Sequence, residues 1–87
     1  MYHLLPFAFI KKEAFMSILA RGIYRHYKGQ LYEVLDCARH SETEEILVVY
    51  RALYGDYGLW VRPFKMFTES VEHHHQIVPR FALETAF

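Results

Sequence analysis

From Gly22 onward the chain alternates apolar and polar residues, or runs continuously apolar, between short clusters of turn-forming residues. Period-two alternation predicts a strand with one buried face, and a short unbroken apolar run predicts one buried on both. Gly22-Ile23-Tyr24-Arg25-His26-Tyr27 is the first predicted strand. Lys28-Gly29-Gln30 turns the chain, with Gly29 free to take positive φ. A second strand runs from Leu31 to Arg39. Its alternation puts Tyr32, Val34 and Ala38 on one face, with Asp36 out of place among them. Leu35 and Cys37 fall on the other face, beside Glu33 and Arg39.

His40-Ser41-Glu42-Thr43-Glu44-Glu45 is a polar turn, and the run from Ile46 to Leu53 that follows is apolar on both faces. That pattern predicts an interior strand. Tyr54-Gly55-Asp56-Tyr57-Gly58 turns the chain again, and Leu59-Trp60-Val61-Arg62 is a short strand stopped by Pro63. Pro63 to Phe67 suits one turn of helix with proline at its first position. Its Phe64 and Phe67 would plug one end of a small barrel. Residues 68–72 and 77–81 predict a last hairpin around His73-His74-His75-Gln76. Five or six short strands and no long helix predict an all-β domain. The simplest architecture is a small SH3-like barrel, because a sheet closed on itself has no edges. Residues 22–87 form this domain. Residues 1–21 read as an N-terminal extension, apolar and basic, in which Phe9, Phe15, Ile18 and Leu19 make no clean helical stripe. Residues 1–15 are expected to be dispensable for folding.

The 87 residues suit one domain, and seven Phe, seven Tyr and one Trp let so short a chain fill its core with few side chains. Homo-oligomerisation is another route by which a small chain gains buried area. Ten basic residues balance ten acidic ones, so no net field gathers nucleic acid or an anionic membrane. The single Cys37 has no disulfide partner and no metal-ligand spacing around it. It reads as a buried, inert thiol, and the lack of a disulfide framework suits a reducing compartment. No run approaches the ~20 apolar residues of a membrane span. Lys11 and Lys12 follow the opening apolar run, whereas a signal peptide places its basic residues first. The expected location is the cytoplasm.

The stretches GIYRHYKGQLYEVLDCARHSETEEILVVYRALYG, LWVRPFKMF and VPRF, in that order, resemble a bacterial family classified as a domain of unknown function, number sixteen-fifty-three. The resemblance covers residues 22–81, about two thirds of the chain. ARHSET, VVYRALYG and LWVRP carry it, in the family's order and spacing. It implies a compact β-rich domain and no particular activity. His73-His74-His75 departs from the polar or glycine-containing turn expected there.

Candidate chemistry gathers on the strands and turns after Arg39. Arg39, Arg51 and Arg62 lie in or at the ends of predicted strands, and Trp60 shares a face with Arg62. An arginine beside aromatic rings can stack on them and hold a carboxylate or phosphate with two N–H groups. The simpler alternative pairs each arginine with Glu33, Asp36, Glu42 or Glu44. His40 in its turn could act as a base oriented by Glu42 or Glu44. The simpler reading is a hairpin loop whose Ser41 and Thr43 satisfy the turn's own backbone. In an extended run His73 and His75 would share a face, but two ligands do not make a zinc site. No phosphate loop, nucleophile elbow or zinc spacing occurs. Six tyrosines (24, 27, 32, 50, 54 and 57) exceed the needs of so small a core and suit a surface that is apolar at one end and wet at the other.

The leading expectation is a non-catalytic binding or adaptor domain. Its surface would comprise Arg39, His40, Tyr50, Arg51, Trp60 and Arg62, its ligand a small anionic molecule or a peptide, and no cofactor or metal is implied. One alternative is a small enzyme of unknown reaction that uses His40 and Glu42. Another is a single-stranded nucleic-acid module, against which the neutral charge weighs.

Overall fold

Four strands follow one another as antiparallel hairpins: β1 (Gly22–His26), β2 (Leu31–Arg39), β3 (Ile46–Ala52) and β4 (Leu59–Pro63). A short helix, α1 (Phe64–Thr68), leads into β5 (Ser70–His73) and β6 (Gln76–Pro79), and β7 (Phe81–Ala86) completes the fold. The structure is a computed structural model and describes residues 19–87. The main sheet has five strands in the order β4-β3-β2-β1-β7, and β5 and β6 make a separate two-stranded sheet. The all-β expectation holds. The sheet is open rather than closed into a barrel, with β4 and β7 at its two edges.

It is nonetheless strongly curled. In a flat sheet, strands three places apart are separated by ~14 Å. Phe81 on β7 and Tyr50 on β3 are three places apart, yet their ring centroids lie 5.6 Å from each other. The concave face therefore folds around its own aromatic side chains. Leu19, Tyr24, Val34, Val48, Tyr50, Phe67 and Phe81 form the core. Phe67 of α1 is 1% exposed and stacks on Phe81 with centroids 4.1 Å apart and planes within 4°. The predicted aromatic plug is thus the floor of the concavity, and burying one such ring stabilises the fold by ~2–3 kcal/mol.

Two readings of the pattern change. In β2 the register slips between Val34 and Asp36, so Leu35 is an extra, bulged residue. A one-residue slip exchanges faces. Cys37 therefore lies opposite buried Val48 and packs half-buried against the core, while Asp36 turns outward. The bulge accounts for Asp36 being out of step in a uniform alternation. The predicted strand 77–81 divides at Arg80, and Phe81 opens a separate strand paired with β1 from His26↔Phe81 to Gly22↔Ala86. Ala82-Leu83-Glu84 has good helix propensity, and pairing with β1 imposes the extended form. β7 also lies so close to Gly22 that a Cβ there would overlap the Thr85 carbonyl oxygen.

The core begins ahead of Gly22. Leu19, 5% exposed, is a core member, and the Ala20 carbonyl accepts a 2.6 Å hydrogen bond from the Tyr24 hydroxyl. The Phe87 amide donates to the Arg21 carbonyl at 2.9 Å. The expectation for residues 1–15 falls outside the described residues. Among the described residues no helix is long and apolar enough to cross a membrane.

Candidate functional site

The β3–β4 register brings two residues from different motifs together. Tyr50 lies opposite Trp60 and Val48 opposite Arg62. Directly opposed residues of an antiparallel pair project to the same face, so Trp60 and Arg62 share the concave side with Tyr50. Tyr50 is buried, and its hydroxyl oxygen accepts a 3.2 Å hydrogen bond from Arg62 Nε. The Arg62 guanidinium carbon sits 5.7 Å from the centre of the Phe81 ring, within cation–π range. Trp60, on the same face nearer the open edge, is 58% exposed.

Around this pair the rings close into a cup. Tyr32, at the start of β2, meets Tyr50, Tyr54 and Phe81 edge-on at 5.4, 5.6 and 5.4 Å. The Tyr32 and Tyr54 hydroxyls share a 2.8 Å hydrogen bond. Burial, then the bond to Tyr54, pushes the Tyr32 hydroxyl up to about 12, so it remains a neutral phenol. His26, at the end of β1, stands edge-on to Phe81 at 4.9 Å, and its Nδ1 accepts the Lys28 amide at 3.1 Å. Burial and the positive charges of Arg62, Arg80 and Lys28 lower the His26 pKa below its ordinary value. The histidine therefore favours the neutral form.

Arg62 is the half-buried cation of the cup, and among the described residues no carboxylate pairs with it. The ion pairs found there are Arg25–Glu84 and Arg80–Glu69. Beyond the bond to Tyr50, the Arg62 side chain makes no further hydrogen bond among the described residues. No buried side-chain nitrogen or oxygen among them lacks a partner, so the free guanidinium N–H groups open to solvent. Such a guanidinium can take an anion with two parallel N–H donors while a flat group lies against the neighbouring rings.

Residues 22–83 match a family described as a protein of unknown function, DUF1653. This chain belongs to that family. A crystal structure of a DUF1653 protein from Bordetella bronchiseptica is similar to it, with 38% identity and a TM-score of 0.75, over 83% of this chain and 95% of that one. No curated protein matches the chain.

In this DUF1653 domain the motifs ARHSET, VVYRALYG and LWVRP fall on the consecutive strands β2, β3 and β4 and their turns. Of the six residues expected to form a binding surface, Tyr50, Trp60 and Arg62 come together. Arg51 does not: its neighbours in sequence alternate faces, and it donates to the Tyr57 carbonyl at 2.8 Å. Arg39 pairs across from Ile46, four residues or ~13 Å along β3 from Tyr50, and donates to the Glu44 carbonyl at 3.3 Å. His40 closes its own turn. Its Nδ1 accepts the amides of Glu42 at 3.1 Å and Thr43 at 3.3 Å, so Glu42 meets it through backbone rather than as a carboxylate orienting a base.

The histidine run is not extended. His74 and His75 are the two-residue turn between β5 and β6, with φ of 52° and 63°. His73 and His75 therefore do not line one face, and among the described residues no cluster of three metal-ligating side chains exists. The sequence reading missed His26 and Phe81 as members of the cup. They lie at the ends of β1 and β7 and meet only because those ends pair, His26 opposite Phe81. The surplus of tyrosines pointed to Tyr32 and Tyr54 without placing them.

Proposed function

We propose that this DUF1653 domain is a binding module whose site is the aromatic cup around Arg62. Its ligand carries a carboxylate or phosphate joined to a flat or apolar part. One observation supports this above the rest: a half-buried guanidinium, framed by Tyr50 and Phe81, has no carboxylate partner among the described residues. A half-buried guanidinium has given up part of its hydration, and a structural arginine would be expected to meet an internal acid. The anion would bind the open N–H groups of Arg62. The Tyr50 hydroxyl, which accepts from Arg62, keeps its own proton to donate. Trp60 and Tyr54 would flank the apolar part.

The test is urea unfolding of the parent and of Arg62→Met, each with and without inorganic phosphate and benzoate. Met keeps the packing of the arginine stem and removes the charge. Arg62→Met is expected to hold or raise stability in the absence of anion, because functional sites often sacrifice stability for binding. The anions are expected to stabilise the parent, by ~2.7 kcal/mol at one hundred times the dissociation constant, and to leave the variant unchanged. A strongly destabilised variant together with a parent indifferent to both anions would reduce Arg62 to a structural residue and remove the proposal.

A further inference from the structure

The edge strand β4 is unusual in its surface. Natural sheets blunt a free edge with charge, proline or a covering element, because unpaired backbone groups recruit another strand. Arg62 and Pro63 blunt one end of β4, but Leu59, Trp60 and Val61 ahead of them are 55%, 58% and 57% exposed, and Tyr54 and Tyr57 in the preceding turn are exposed too. These residues supply five of the nine large hydrophobic side chains exposed among the described residues. The opposite edge, β7, carries Glu84 in an ion pair with Arg25.

The hydrogen-bond pattern identifies which backbone groups of β4 are free among the described residues. The Ala52 amide donates to the Gly58 carbonyl at 3.0 Å, and the register continues from there through Tyr50↔Trp60 and Val48↔Arg62. In an antiparallel ladder bonded pairs alternate with non-bonded ones. Gly58, Trp60 and Arg62 thus turn their backbone groups toward β3. Leu59 and Val61 turn theirs outward, and Pro63, the next outward position, has no N–H and ends the available edge.

We propose that β4 is a pairing edge for a second copy of this chain, with the two-fold axis at Trp60. In that register Leu59 of each copy faces Val61 of the other. Both N–H and both C=O groups of each pair are then used, and neither Pro63 is required to donate. Leu59 and Val61 meet apolar partners on the outer face. The two Trp60 side chains stand opposite one another on the concave face, as a non-bonded pair with Cα atoms ~4.5 Å apart. No charged side chain is brought against its own copy at the centre, because Arg62 is two residues from the axis. Two features select a second copy as the occupant. The edge is self-complementary about one residue, and the chain has ten basic and ten acidic residues, so two copies approach without net repulsion. The exposed strip offers on the order of 500 Å² of side-chain surface per copy, given rings of ~150–250 Å² each. A stable complex buries ~800 Å² per partner, so the dimer is expected to be weak, with a dissociation constant in the micromolar range. The dimer shares Trp60 with the rim of the cup, so association is measured without added anion and its outcome does not bear on Arg62.

Trp60 is the single tryptophan of the chain, so its fluorescence reads this surface directly. Sedimentation equilibrium and Trp60 emission are measured on the full chain from about 1 µM to about 1 mM. The expected result is a monomer–dimer transition in mass, accompanied by a blue shift of emission over the same concentrations. Val61→Lys puts a charge at the centre of the edge and is expected to weaken association at least tenfold. Ile77→Lys, at a position 74% exposed on the separate sheet, is expected to leave it unchanged. Circular dichroism verifies that both variants fold. In a Cys37→Ala background, Trp60→Cys is expected to form a covalent dimer on mild oxidation, and Ile77→Cys is not. A parent that stays monomeric across the range overturns the proposal. So does a dimer that Val61→Lys leaves intact, or cross-linking that is equal at positions 60 and 77.

Discussion

His26 shows how one side chain reports the charge around it. Burial, and then the positive charges of Arg62, Arg80 and Lys28, oppose a charge on its ring, and its Nδ1, which accepts the Lys28 amide, is unprotonated. Its folded pKa is therefore below its unfolded one, which is ~6.5. The unfolded chain takes up this proton first as pH falls. The stability that His26 contributes is thus present above ~6.5 and is lost on acidification toward the folded value. Unfolding free energy measured from pH 7 to pH 5 is expected to fall more steeply for the parent than for His26→Asn, in which the amide oxygen can still accept from Lys28. Equal slopes would mean that His26 titrates normally. The absolute stability of the variant is not the readout, because losing the ring contact with Phe81 lowers it at every pH.

Elements of this fold are held by pairing more than by local preference. The turn between β5 and β6 has the positive φ values of a type I′ turn at both central positions, where Asn-Gly is favoured and two histidines stand instead. Side-chain sterics penalise each, by ~1 kcal/mol or more. The double substitution His74→Asn, His75→Gly is expected to stabilise the domain by about 1 kcal/mol. That corresponds to a rise of ~4–8 °C in Tm for a chain of this size. A drop in Tm would show that the His73–His74 ring contact, with centroids 4.0 Å apart, outweighs the strain. The β2 bulge is the complementary case: there a break in alternation at Asp36 is the sequence trace of an inserted residue.

Across the whole molecule, the sheet curls until its first and last strands share one core, and that core reaches past the boundary that the pattern suggests. Residues 1–21 look unlike the strands, yet Leu19 is buried among Tyr24, Val48 and Phe67. Removing residues 1–21 is therefore expected to cost the cavity left by Leu19, ~2–5 kcal/mol, and also the Tyr24–Ala20 hydrogen bond. The full chain, Leu19→Ala and a chain beginning at Gly22 should be compared by urea unfolding. If all three have the same midpoint, Leu19 is only an incidental contact. If the two altered forms are equally destabilised, Leu19 accounts for most of what the deleted residues add.

The positions of the first four strands, the interior place of β3, the stop at Pro63 and the helical turn carrying Phe67 were determined by sequence, because period, turn residues and proline act over a few neighbouring positions. The motifs that marked the family also lie on consecutive strands, so local order in the chain became adjacency in the sheet. Tertiary structure alone decided which arginine lies open. Arg39, Arg51 and Arg62 look alike in sequence, but strand alternation and register direct Arg51 to the Tyr57 carbonyl, Arg39 to the Glu44 carbonyl and Arg62 into the cup. It also decided that β7 returns to β1, which brings His26 and Phe81 together across more than fifty residues of chain. Contacts between distant segments depend on register and curvature, and these are settled by packing the whole sheet around its aromatic core rather than by any one stretch of residues.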